Sequence, residues 1–173
     1  MTAFRLVFEE GALGTHGHPT YNRRDLALVY GPAEEQVPTI HMRRGRAIDA
    51  RLGIYEHPVF LIADTLTLRF DEDRTLVALD AYTNDQRWAL GEEESQVKLS
   101  GRGRLKIEWH ADSDRARLPG SPRFVFATGA RRLHIYLDSA STSNSYFEVG
   151  DGLTIGMEAG AIREIIIAEL AVT

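Results

Sequence analysis

Short apolar runs alternating with polar residues recur along the chain, at 4–8, 26–30, 59–62, 66–70, 105–109, 124–126, 133–137, 153–157 and 162–167. A period of two sends successive side chains to opposite faces of an extended strand, so the spacing predicts β-structure nearly throughout. Two pairs of runs read as hairpins. Leu66, Leu68 and Phe70 lead into the polar turn Asp71-Glu72-Asp73-Arg74 before Leu76 and Leu79 resume the pattern, and 153–157 turn at Glu158-Ala159-Gly160. Helical periodicity is scarce. In MRRGRAIDARLG, Ile48 and Leu52 fall four apart, but Gly45 and Gly53 puncture the segment; NDQRWALGEEES supports no more than a short turn near Trp88. Segments 11–24, 91–103, 112–122 and 138–145 are dense in Gly, Pro, Ser, Asn and Asp and read as loops. The expected fold is all-β, a sandwich or barrel-like arrangement of roughly 10 to 14 short strands, in a single domain over 1–173.

The two hairpins also resemble each other. DTLTLRFDEDRTLVAL (64–79) and DGLTIGMEAGAIREII (151–166) share an Asp two residues before Leu-Thr, and a one-residue shift after the turn keeps their apolar faces aligned. Upstream of each lies a similar strand, RDLALVYG (24–31) and RRLHIYLD (131–138). The pattern predicts two related halves, 24–82 and 131–170, from an internal duplication. Amphipathic strands resemble one another cheaply, so coincidence stays open as the alternative.

Within the second half, LHIYLDSASTSNSYFEVGDGLTIGMEAGAIREIIIAEL resembles the small uncharacterised bacterial domains called DUF2283. The likeness lies in the succession of an aliphatic-aromatic strand, a polar segment, a Glu-Val-Gly-Asp-Gly stretch and a closing hairpin. It covers 132–170 and, in outline, 64–82. The hairpin of that family has an acidic turn with glycine, which Asp71-Glu72-Asp73 follows in charge and Glu158-Ala159-Gly160 follows in part. The resemblance implies a bacterial, β-rich fold and carries no activity with it.

Composition narrows the classes. With 43% hydrophobic and 26% charged residues the chain is ordinary globular protein. Cysteine is absent, which removes disulfides, thiolate metal sites and thiol nucleophiles and fits a reducing cytoplasm. No basic-then-apolar leader opens the chain and no apolar run reaches the roughly 18 residues that span a bilayer, so a soluble, cytoplasmic protein with no membrane partner is expected. A net charge of −5 argues against a nucleic-acid partner, because phosphate-backbone affinity comes from clustered Lys and Arg. Only Lys98 and Lys106 are lysines, and the other basic residues are arginine. Genome composition explains that bias most simply; anion recognition by guanidinium groups is the lesser reading.

Several groups carry chemistry on paper. In THGH, His16 and His18 stand two apart, a spacing at which both can ligate one divalent metal from an extended segment, with His41, His57 and His110 and a carboxylate from Glu56, Glu108 or Asp112 as candidates to complete the set. Against this, the pair sits among Gly14, Gly17 and Pro19 with no flanking strand to fix the rings, which favours a plain or partner-contacting loop and no cofactor. Glu56 and His57 in YEHPVF are the candidate acid-base pair, although adjacent strand residues point to opposite faces. In GRGRLK, Arg102 and Arg104 with glycine amides are candidates for holding an anion just ahead of a strand. His134, between Leu133 and Ile135, reads as a satisfied structural histidine facing solvent or the second face of its strand. No G-x-S-x-G or S-x-x-K frame is present.

None of these constellations outweighs its bland reading. The sequence leaves open whether the chain is an enzyme; the leading expectation is a non-catalytic module that binds a partner protein or assembles with itself as a homo-oligomer. The alternative is a metal-dependent or small-ligand-binding β-barrel using the His16/His18 loop. Convergence of the histidines separates the two, and a concave apolar pocket supports a ligand independently.

Overall fold

A computed structural model of the protein describes residues 4–31, 58–91, 97–110, 112–137 and 143–173. Its strands are β1 (Phe4–Glu10), β2 (Thr20–Asn22), β3 (Ala27–Tyr30), β4 (Val59–Ala63), β5 (Leu66–Phe70), β6 (Leu76–Tyr82), β7 (Ala89–Leu90), β8 (Gly101–Trp109), β9 (Arg115–Arg117), β10 (Arg123–Ala127), β11 (Arg132–Tyr136), β12 (Ser145–Gly150), β13 (Leu153–Glu158), β14 (Ala161–Ile167) and β15 (Ala171–Val172). The one helical element among the described residues is a single 3-10 turn, Asp85–Arg87, capped by the Asn84 side chain, which accepts from the Gln86 amide at 3.0 Å. No described helix is long and apolar enough to cross a membrane. The fold is all-β.

Two mixed sheets face each other across one core. The first is eight-stranded, in the order β1-β8-β12-β13-β14-β11-β10-β7, and the second seven-stranded, β15-β2-β3-β6-β5-β4-β9. Alternation aims Leu28, Leu61, Leu66, Leu68 and Leu79 inward from the second sheet and Leu133, Ile135, Leu153, Ile155, Ile165 and Ile167 inward from the first, each 0% exposed. Each such side chain contributes about 1.5–3 kcal/mol by leaving water. The predicted hairpin at Glu158-Ala159-Gly160 forms a two-residue turn, with Ala159 and Gly160 at φ 50° and 78°. Left-handed backbone at both central residues matches the twist of the flanking strands.

The sheets share a pairing pattern. Outward from the hairpins, β6 and β14 lie between antiparallel neighbours, β5 and β3 in one sheet and β13 and β11 in the other. Next to β3 and β11 lie antiparallel β2 and β10, each followed by a parallel two-residue strand, β15 and β7. At the other side β4 and β12 each take a parallel neighbour, β9 and β8. Both hairpins break register at the same step, between Arg69 and Phe70 and between Gly156 and Met157. The terminal strands are exchanged: β7 follows the first half but completes the first sheet, and β15 follows the second half but completes the second sheet.

Polar bonds tie the sheets at one corner. The Ile107 amide donates to Arg74 O at 2.9 Å, and the Thr15 hydroxyl donates to Val77 O at 2.7 Å while the Gly14 amide donates to Val149 O at 3.1 Å. The loop assignments need correction. Segments read as loops contain β2, β9 and the start of β8. Thr-Tyr-Asn and Arg-Ala-Arg are three residues long and send one side chain each, Tyr21 and Ala116, toward the core, too few for a period to show in the sequence. The helix-like stretch MRRGRAIDARLG lies outside the described residues.

Candidate functional site

On the face of the first sheet turned away from the core, one cross-strand row is built around the buried carboxyl of Glu164. Register places Arg123 beside Tyr136, Tyr136 beside Glu164, Glu164 beside Gly156, and Gly156 beside Tyr146, across β10, β11, β14, β13 and β12. Glycine is required at the fourth place: a Cβ there would lie 2.9 Å from the Tyr146 ring and would strike Ser143. Its absence lets Tyr146 lean across and donate its hydroxyl to Glu164 Oε2 at 2.8 Å. His134, diagonal to Glu164, bonds Oε1 through Nδ1 at 2.7 Å, and both residues are buried, at 3% and 5% exposure. Tyr136 also donates to the carboxylate, and its ring stacks on His134.

Burial on its own raises the Glu164 pKa, but hydrogen bonds from His134 and Tyr146, the imidazole's charge and the Tyr136 bond outweigh it. The carboxyl is held below the usual carboxylate range and is ionised at neutral pH. An ionised carboxylate only accepts, so Nδ1 of His134 carries the proton. With donors on both oxygens, the group acts as a clamp on three side chains rather than as a free base.

The clamp borders a cleft. Tyr136, beneath the Arg123 guanidinium at 4.6 Å from its ring centroid, lies in both. The cleft measures about 870 Å³ and opens at the end of the sandwich where the β13–β14 turn, the start of β1 and the segment around Gly120 meet. Leu6, Leu137 and Ile162, all 5% exposed members of the core, supply apolar floor, and Phe4, Leu118 and Pro119 extend it. Arg5, Arg123 and Arg163 supply charge, and no described acidic residue lines the space. Glu108 and Glu158 approach from outside it, at 3.9 Å from Arg5 and 3.3 Å from Arg163. Gly120 shapes the rim: its φ of +88° favours glycine, and a Cβ would sit 2.7 Å from Leu137 O.

The residues singled out in the sequence lie elsewhere. His16 is exposed at the sandwich corner, its Nδ1 2.9 Å from Asp151 Oδ2, and His18 is exposed two residues on. No group of three or more His, Cys, Asp or Glu able to hold a metal exists among the described residues. His41, Glu56 and His57 lie outside them. GRGRLK does not precede a strand; it is the first two-thirds of β8, with Gly103 opposite Glu10 and Arg104 opposite Glu9. Arg102 pairs with Glu148 at 3.1 Å. The cluster around Glu164 and the arginines of the cleft were not among the sequence candidates. Glu164 interrupts the apolar run Ile162 to Ile167, a buried-strand charge that is rare unless paired, and this was its one legible signal. No protein-family model matches the chain, and neither does any curated protein.

Proposed function

We propose that this protein is a non-catalytic binding module that takes a small ligand in the arginine-lined cleft. The observation that carries this reading is the cleft itself: an apolar floor made of core side chains, guanidinium groups at its rim, and a volume of about 870 Å³, within the range of small-molecule sites. The neighbouring acid-histidine pair supports binding rather than turnover, because Glu164 is saturated by donors and its role is to hold Tyr136, and through it Arg123, at the rim. The test is titration with the neutral solvatochromic dye Nile red. Saturable 1:1 binding is expected, and Ala161→Trp, which places an indole in the cleft from the first residue of β14, should abolish it at unchanged melting temperature. Dye binding that survives Ala161→Trp, or no saturable binding by the wild type, would reject the cleft as the seat.

A second reading, self-association, is favoured by Leu90, which is 79% exposed on the edge strand β7. Sedimentation of wild type and Leu90→Lys tests it: a dimer that the lysine dissociates is expected, and a monomeric wild type rejects it. The matching strand senses and bulges of the two sheets support descent from a duplicated unit, and the resemblance of 132–170 to DUF2283 domains is in keeping with such a unit. A cysteine-free chain suits the cytoplasm.

A further inference from the structure

The cleft combines an apolar floor with three arginines and no described carboxylate in its lining, in a chain whose net charge is −5. In a protein with more acids than bases, an acid-free concavity bearing Arg5, Arg123 and Arg163 selects by charge as well as by shape. The three guanidinium groups are not equivalent. Arg163 is 27% exposed and bridged to Glu158 at 3.3 Å. Arg5 is 75% exposed, and its contact with Glu108 is loose at 3.9 Å, the type of surface pair worth little and easily exchanged. Arg123 lies over the Tyr136 ring, an interaction that leaves the edge of the guanidinium able to donate. Arg5 and Arg123 therefore stand ready to take an anion at the rim while an apolar body lies against Leu6, Leu118, Leu137 and Ile162.

We propose that the ligand is a small anionic amphiphile, a carboxylate head on an aliphatic body, with Arg5 and Arg123 as the head-group anchors. The proposal rests on the cleft being a ligand seat. Charge-assisted, bidentate hydrogen bonds from arginine to a carboxylate are stronger than neutral ones, and desolvation of the tail supplies the rest of the affinity.

The experiment is displacement of Nile red by octanoate, 1-octanol and octylammonium, with phosphatidylglycerol vesicles as a separate arm. Octanoate is expected to displace the dye at concentrations at least about tenfold below octanol, with octylammonium weaker still. In Arg5→Gln/Arg123→Gln, octanoate should weaken to the level of octanol while octanol itself is unchanged, which also shows that the variant is folded. If the dye binds but octanol matches octanoate, the anionic class is wrong and the ligand seat stands. Failure of Nile red to bind at all removes the seat and the inference together. Capture by vesicles without displacement by octanoate would overturn the proposal in favour of a lipid surface.

Discussion

At the residue scale, the arrangement around Glu164 shows how one buried charge is tolerated in a strand that otherwise reads Ile-Arg-Glu-Ile-Ile-Ile. The carboxylate is satisfied from neighbouring strands, by Tyr146, His134 and Tyr136, and the missing side chain of Gly156 opens the route for the first of these. Replacing the carboxylate by an amide keeps one acceptor but sets N–H groups against a donor at the other position, at a cost of about 1–3 kcal/mol. Glu164→Gln should therefore lower the melting temperature at pH 7. Because the folded pKa is depressed, this contribution is fully present above the unfolded value of about 4.3 and is lost as pH falls through the lower folded value. Melting curves from pH 7 to pH 2.5 should show wild type and variant converging at the acid end; a constant gap at every pH would mean that the ionised carboxylate stabilises nothing. In the sequence this centre was half legible. His134 stood out as a histidine between two core positions, but its partner is thirty residues away, and only the register of β11 on β14 brings them together.

At the element scale, the segment between β6 and β7 does the most work. It carries the chain from one sheet to the other, and Trp88 is its anchor. The indole packs at 4.7 Å on Tyr21 of the second sheet and at 6.2 and 5.9 Å on Phe124 and Phe126 of the first, while Nε1 donates to the Thr83 hydroxyl at 2.8 Å. Tyr21 in turn donates to Thr83 O at 2.9 Å and accepts from the Asp85 amide at 3.0 Å. Trp88→Ala is expected to cost about 3–5 kcal/mol, read as a lower urea midpoint; a loss under 1 kcal/mol would show that the crossing is held by its backbone. Strands with apolar alternation, such as β5 and β13, and the apolar run of β14 were legible from pattern alone. β7 and β15 were not, since two residues hold no period and only tertiary pairing defines them.

At the scale of the whole molecule, exchange of β7 and β15 between the sheets makes neither half complete without the other, and a single core joins them. Unfolding should be one cooperative event. Trp88 lies at the crossing and Trp109 on β8 stacks against Phe4 at 6.2 Å, so Trp88→Phe and Trp109→Phe each leave one reporter in a different region. Within each variant, tryptophan fluorescence and far-ultraviolet circular dichroism should give the same denaturant midpoint; separated midpoints would mean that the halves are independent. The overall class was readable because alternation survives in strands such as β5 and β8. The cleft was not, because Arg5, Arg123 and Ile162 are far apart in sequence and meet only where the sheets end.

That meeting place is the centre of the functional account, and amide chemical-shift mapping tests it most directly. Octanoate titrated into the isotopically labelled protein is predicted to shift the amides of Arg5, Leu6, Leu118, Gly120, Leu137 and Ile162, which border the cleft. Those of His16 and His18 at the far corner, and of Val29 and Ala78, which line a separate shallow groove over β3 and β6 of the second sheet, should stay in place. Shifts centred on either of those regions, or none at saturating octanoate, would contradict it.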